Sequence, residues 1–159
     1  MKIYATLSAL LTGFVATGST AAVGNPQGGH VELMSLEGGF ASSCENFEIT
    51  NRRIPNQRIY SINAVCPDPN GVKYKTSIQL NRCLKNQDGK LAWAEIGHFD
   101  DSCEGCSLQK INKNEVELRC ICPERWDKPM MFTSINLNEN IRNQGATLWC
   151  FNQIGTREA

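Results

Sequence analysis

The sequence predicts a mostly β chain made of two copies of one pattern: a pseudo-symmetric pair of repeats of strands and hairpins with short helical turns, disulfide-linked. Three observations predict it: an internal repeat, a period-two alternation inside each copy, and eight cysteines in a chain of 159 residues that starts like an exported protein. The repeat is the strongest. FASSC (Phe40 to Cys44) returns as FDDSC (Phe99 to Cys103), INAVC (Ile62 to Cys66) as LRCIC (Leu118 to Cys122) and TSIQLN (Thr76 to Asn81) as TSINLN (Thr133 to Asn138). KNQDGKLAW (Lys85 to Trp93) then returns as RNQGATLWC (Arg142 to Cys150), so four segments recur in one order at offsets of 56 to 59 residues. A repeat in register decides architecture before any local propensity does.

Within each copy the elements follow from periodicity. Val116, Leu118, Cys120 and Cys122 alternate with Glu115, Glu117, Arg119 and Ile121, and Ile62, Ala64 and Cys66 repeat that face, the spacing of strands with one buried side. After each Ser-Ile-x-Leu strand, Asn81 or Asn138 is expected to cap a short helical turn in which Leu80 meets Leu84 and Leu137 meets Ile141. Asp88-Gly89 is a hairpin signal leading to Leu91 and Trp93.

Met1 and Lys2, an apolar Ile3 to Val15 and the small Thr20, Ala21 and Ala22 read as a signal peptide over residues 1–22, so a secreted chain is expected. That run is shorter than the roughly 18 residues of a membrane-spanning helix, and membrane insertion is not expected. Residues 23–37 are Gly-rich and read as a flexible leader, 38–151 as the folded domain (repeats about 39–95 and 98–151), and 152–159 as a polar tail expected to fray. Apolar residues at 41% and charged residues at 20% exclude disordered and fibrous classes. Sixteen basic against sixteen acidic residues leave no positive field for a polyphosphate, so nucleic acid is not an expected partner.

An even cysteine count in a small exported chain points to a disulfide framework. A Cys44 to Cys66 link centres on Ile54-Pro55-Asn56-Gln57, a turn sequence, and a Cys103 to Cys122 link centres on Asn112-Lys113-Asn114, so each closes a hairpin. Cys106 with Cys120 shares the second centre and needs a bulge, and Cys83 with Cys150 is left by remainder. Four zinc thiolates from Cys103, Cys106, Cys120 and Cys122 are the competing reading, disfavoured by export and by the one-residue gap between the last two; no metal and no cofactor is expected. Catalysis is not expected either. His30 lies in the leader and only His98 remains as an imidazole base, while Asp100 and Asp101, adjacent on an extended segment, would point apart and not form a glycosidase pair.

The ordered double pattern, Phe-x-x-Ser-Cys, a strand ending in Cys, Ser-Ile-x-Leu-Asn and then Asn-x-Asp-Gly-x-Leu-x-Trp, resembles the cyanovirin-N homology family of lectins from Phe40 to Cys150. The resemblance implies a cyanovirin-N-like fold in which elements of the two repeats are exchanged to complete two lobes. It also implies carbohydrate binding, typically of mannose-type oligosaccharides or the glycoproteins that bear them, with lectin function and no enzyme activity. Carried over position by position, the lobe B site comprises Lys85, Asn86, Asp88, His98, Asp101, Ser102 and Arg125, which offer acceptors and a two-pronged donor for vicinal hydroxyls. The lobe A site comprises Ser42, Ser43, Asp68 and Asn143 beside Gly39, and is poorer because Gly145 stands where the family has an acid and Pro69 where it has a polar residue. Asn86, Asp88 and Asn143 also have a plain structural reading as turn residues. Relatives exchange whole halves, and Ala94 to His98, with Gly97 and no proline, is the hinge here; it should bend enough to give mainly monomer, with a domain-swapped dimer as the alternative. The competing function is a secreted protein-interaction module on a lectin scaffold whose sugar sites have decayed.

Overall fold

A computed structural model describes residues 38–55 and 57–158; the signal peptide and leader expected over 1–37 lie outside the described residues. A short helix α1 (Phe40–Ser43) leads into β1 (Glu45–Ile54), β2 (Gln57–Pro67) and β3 (Lys73–Gln79), an antiparallel meander. A 3-10 turn (Leu80–Arg82) leads to the hairpin β4 (Leu84–Gln87) and β5 (Lys90–Trp93). The second copy repeats the order: a 3-10 turn (Phe99–Asp101), the meander β6 (Glu104–Asn112), β7 (Glu115–Pro123) and β8 (Met130–Asn136), a 3-10 turn (Leu137–Glu139), then the hairpin β9 (Ile141–Gln144) and β10 (Thr147–Cys150). The repeat and its alternation are as the sequence predicts. Tyr60, Ile62, Ala64 and Cys66 on β2 and Val116, Leu118, Cys120 and Cys122 on β7 are buried, and Phe40 and Phe99 are fully enclosed at matching positions.

The hairpins are exchanged. β5 packs on β7 and β8 of the second copy, while β10 packs on β3 of the first. Lobe A is therefore the β1-β2-β3 sheet with β9–β10, and lobe B the β6-β7-β8 sheet with β4–β5. A buried hydrogen bond to a threonine seats each hairpin. The Leu91 N–H donates to Thr133 Oγ1 at 3.0 Å, and the Leu148 N–H donates to Thr76 Oγ1 at 3.1 Å, both buried. A buried N–H without a partner is costly, so each threonine gives the incoming hairpin a single seat.

The turns repeat as well. Asp88 and Gly89 have φ of 52° and 81°, and Gly145 and Ala146 have 60° and 65°, the doubly positive φ of tight two-residue hairpins. At the hinge the Ala94 N–H donates to Cys83 O at 2.9 Å and the His98 N–H to Asn81 O at 2.6 Å. A Cβ on Gly97 would collide with the Leu84 carbonyl, so the linker between the copies passes where only glycine fits.

Three expectations need correction. Asn81 and Asn138 lie inside their 3-10 turns and do not cap them; Gln79 and Asn136 hold the capping positions. Asn136 Oδ1 accepts the Asn138 N–H at 3.1 Å, which frees Asn138 Oδ1 to accept the Ala41 N–H at 2.7 Å, so its side chain ties distant segments together. The tail joins the sheets. β11 (Gln153–Ile154) pairs with β10 and β12 (Thr156–Arg157) pairs with β3, because Thr156 O accepts from Thr76 Oγ1 at 2.9 Å and Thr156 Oγ1 meets Ser77 Oγ at 2.8 Å.

The third correction concerns cysteine. Cys44–Cys66, Cys103–Cys122 and Cys106–Cys120 are disulfides with Cα atoms 4.3, 4.3 and 4.1 Å apart, next to bulges between Glu45 and Glu48 and between Glu104 and Ser107. Each links residues facing across a strand pair and stabilises the fold by about 2–4 kcal/mol. Cys103, Cys106, Cys120 and Cys122 are thereby consumed, which removes the zinc-thiolate reading. Cys83 and Cys150, expected to form a fourth link, are free thiols, both buried. They do meet: a hydrogen bond to Cys83 and then burial push the Cys150 thiol far above its ordinary value. Cys83 closes the first 3-10 turn and Cys150 ends β10, and the two thiols stand as hydrogen-bonded neighbours instead of a bridge.

The seat of each hairpin is testable. Thr133→Val keeps the shape but strands the buried Leu91 N–H, and should lower stability to urea by about 1–3 kcal/mol. Thr76→Val should cost more, since the same hydroxyl also donates to Thr156 O.

Candidate functional site

The two lobes carry the same asparagine clasp. In lobe B, Asn86 on β4 donates through Nδ2 to Ser102 Oγ at 3.0 Å and to Pro123 O at 2.8 Å, and its Oδ1 accepts the Gly89 N–H at 2.9 Å. In lobe A, Asn143 on β9 donates to Ser43 Oγ at 3.4 Å and to Pro67 O at 2.9 Å. One amide thus holds the incoming hairpin against the two segments that flank a disulfide, Cys103–Cys122 or Cys44–Cys66. The turn reading holds for Asn86, whose Oδ1 accepts from its own turn, whereas Asn143 bonds only distant segments. Both asparagines brace the walls of a site.

The clasps differ in quality. Asn86 is satisfied at both ends of its amide, whereas Asn143 Oδ1 is buried without a hydrogen-bond partner. Gly89 has φ of 81°, and a Cβ there would press on Met131 and stand 3.3 Å from the Glu124 nitrogen, so the β4–β5 turn lies directly on the segment after Cys122.

Around the lobe B clasp, Ser102 is in direct contact with Asn86, Asp101 is its neighbour in the 3-10 turn, and Arg125 follows Pro123 by two residues. Asp101 and Arg125 are exposed, and Arg125 makes an exposed ion pair with Asp127 at 3.5 Å. Asp88 is an exposed turn residue beside a depression of about 450 Å³ lined by Gln87, Asp88, Lys90, Leu91 and Ala92. Lys85 is half-buried on β4, next to Asn86 in the chain. His98 is exposed with φ of 60° and stands close enough to Asp100 to act on its carboxyl.

In lobe A the polar side chains are spent locally. Ser42 Oγ donates to Gly39 O at 2.7 Å, and Asp68 Oδ1 accepts the N–H groups of Asn70 and Val72, both at 2.9 Å. Asp68 therefore closes its own turn. Its counterpart two residues after the other disulfide is Glu124, exposed and without a side-chain hydrogen bond among the described residues. Glu124 is a further candidate position, outside the set that the resemblance supplies. The repeat marks it, because Cys66 to Asp68 and Cys122 to Glu124 are the same step.

A second concavity adjoins lobe B: a cleft of about 740 Å³ between the tip of the β1–β2 hairpin (Arg53, Gln57, Arg58) and the 3-10 turn with its exit (Asp100, Asp101, Ser102). Arg58 Nη1 lies 3.9 Å from Glu104 Oε2, and the Tyr60 and Phe99 rings are 5.7 Å apart beneath it. Asp100 is only 4% exposed, and neither carboxylate oxygen has a hydrogen-bond partner on another residue. Burial pushes its carboxyl up to about 6; its own backbone N–H, His98 and Arg58 pull it down and Asp101 pushes it up. Asp100 and Asp101 do diverge as expected, one inward and one to solvent, although the segment is a 3-10 turn and not extended.

The fold class is thus a two-repeat β protein with exchanged hairpins and one clasp per lobe, and the chain belongs to the family that the sequence resembles. The CVNH domain family model matches residues 40–149. Among solved structures, GzCVNH of Gibberella zeae is similar with a TM-score of 0.57 at 22% identity, covering 71% of this chain and 97% of that one. Microvirin, solved as a mannobiose complex, gives 0.55 at 24% identity, with 71% and 98% covered. A MoCVNH3 variant, solved with (N-GlcNAc)4, gives 0.54 at 17% identity, with 71% and 97% covered.

The buried carboxylate makes a pH prediction. A folded-state value above the unfolded one means that the folded chain holds this proton more tightly, so stability is greatest with Asp100 protonated and falls as pH rises from about 4 through about 6. Asp100→Asn should abolish that fall and raise stability at pH 7 by on the order of 1–2 kcal/mol, read from urea titrations between pH 4 and 8.

Proposed function

We propose that this protein is a secreted, non-catalytic lectin that recognises mannose-type oligosaccharides, free or on glycoproteins, through one dominant site in lobe B. One observation carries the reading: Asp101, Glu124 and Arg125 around the lobe B clasp stay exposed, while in lobe A Ser42 and Asp68 are consumed by their own turns and Pro69 stands in the place of Arg125. Carboxylates accept from sugar hydroxyls and a guanidinium donates to two oxygens at once, the pairing that a vicinal diol needs. Family membership and the mannobiose and (N-GlcNAc)4 complexes of structural neighbours support a carbohydrate ligand. The proposed form is mainly monomeric, because a single chain fills both lobes and the hinge passes through tight hydrogen bonds at Ala94 and His98. With one strong site, such a protein binds a soluble glycan and crosslinks glycoproteins poorly.

The second reading, a protein-interaction module, is favoured by one feature of lobe B: Trp126 is 94% and Phe132 70% exposed, with Met130 and Met131 between them in the chain. Patches of this kind mark contact surfaces.

Calorimetric titration with a mannose disaccharide separates the readings. Arg125→Ala should weaken binding about tenfold, one charge-assisted hydrogen bond, with folding intact, while Ser42→Ala in lobe A changes little. The reverse pattern would move the site to lobe A. A folded wild-type chain silent towards every glycan would leave the interaction module standing.

A further inference from the structure

The two lobes differ at one sheet edge. β3 in lobe A is paired on both sides, to β2 and to β12, whereas β8 in lobe B pairs with β7 alone among the described strands. Chain order explains the difference: the segment after β10 folds back along β3, while the segment after β5, at the same place in the first copy, is the linker to the second. An open edge presents a row of unpaired N–H and C=O groups to another strand.

The two edges carry the same residues, Thr76-Ser77-Ile78 and Thr133-Ser134-Ile135. In lobe A, Thr156 faces Ser77 and Arg157 faces Thr76, and the Glu158 N–H donates to Lys75 O at 2.9 Å. Thr76 Oγ1 accepts the Leu148 N–H and donates its own proton to Thr156 O. Thr133 Oγ1 accepts the Leu91 N–H in the same way, but its hydroxyl proton has no acceptor among the described residues, although Thr133 is buried. A buried donor left over where its duplicate is satisfied marks a missing carbonyl. The 450 Å³ depression of lobe B has Leu91 and Ala92 in its wall, and Ala92 is the counterpart of Trp149, on which β11 lies in lobe A.

The filled edge says what fits the open one. The tail passes between β10 and β3 at Gly155, whose N–H donates to Leu148 O at 2.8 Å and whose Cβ would collide with Ser77 O and Leu148 O. An added strand in lobe B therefore needs glycine just before the residue that faces Ser134. β8 itself contains no glycine, so the β8 of a second copy is not that strand. The hydroxyl of Thr156 meets that of Ser77, and Ser134 keeps this hydroxyl. Lys73, Tyr74 and Lys75 beside the filled edge are replaced by Met130, Met131 and Phe132, all exposed, so an apolar residue belongs where Glu158 faces Lys75.

We propose that the free edge of β8 is a docking site for an extended segment of a partner protein, added as an antiparallel fourth strand with the pattern glycine, serine or threonine, any residue, apolar residue. The serine or threonine faces Ser134, and the apolar residue faces Phe132. The proposal does not rest on the carbohydrate reading; it names a partner for the exposed side chains that favour the interaction module.

The probe is a nine-residue peptide, the chain's own residues 151–159 with Glu158→Val, titrated into the full folded chain and followed by amide NMR. The signals of Phe132, Thr133, Ser134 and Ile135 should shift on one saturable curve. The same peptide with Gly155→Ala should bind at least about tenfold more weakly, and so should the first peptide to a chain carrying Phe132→Glu. Equal binding of the two peptides, or shifts on β3 instead of β8, would overturn the proposal. So would β8 amides that, in the chain without peptide, already exchange with solvent as slowly as those of β3, because the edge would then be closed by the chain itself or by a second copy. None of these outcomes depends on whether the chain binds sugar.

Discussion

Neither three-stranded meander in this protein can cover its own core, and everything else follows from the way each borrows a hairpin from the other copy. A buried hydrogen bond to a threonine seats the loan in each lobe, Leu91 to Thr133 and Leu148 to Thr76. Around these contacts lie the fully enclosed Leu84, Leu137, Ile141 and Leu148, so the polar seat sets the position and apolar burial supplies the driving force. The exchange makes the chain between the copies a structural element in its own right. It passes where Gly97 alone fits, and its N–H groups bond back to Cys83 and Asn81.

The site is a product of the same exchange. The Asn86 amide spans three pieces of chain that are distant in sequence: its own hairpin, the turn before Cys103 and the carbonyl after Cys122. The disulfide holds the last two pieces together and the asparagine attaches the hairpin to them, so the exposed side chains of Asp101, Glu124 and Arg125 rise from a braced floor. Lobe A has the same brace, but its amide oxygen is unpartnered and its acid is occupied by a turn. A pseudo-symmetric scaffold thereby yields two unequal ends, and the inequality comes from a few substitutions at the rim.

Much of this was legible in the sequence because the signals are local or doubled. Alternation at Val116 to Cys122 gives the strands, Asp88-Gly89 gives a turn, and cysteines facing across hairpins give three crosslinks. The hairpin exchange came from family resemblance, since no periodicity records which copy a hairpin covers. The errors share a cause: side chains committed to partners far along the chain. Asn138 bonds Ala41 instead of capping its own turn, Thr156 docks on Thr76 and turns a polar tail into a strand, and Cys83 meets Cys150 as a hydrogen-bonded thiol. The cleft was invisible for the same reason, as it joins Arg53 and Arg58 to Asp100 across more than forty residues of sequence.

The central claim, that the two braced ends are unequal and lobe B is the one that binds, is tested most directly by a residue-resolved NMR titration of the folded domain with a mannose disaccharide. The account predicts that the amide signals of Asn86, Ser102, Glu124 and Arg125 shift together along one saturable curve, while those of Ser43, Asp68 and Gly145 stay in place. Shifts confined to Ser43, Asp68 and Gly145, or equal shifts at both ends with one shared affinity, would contradict it.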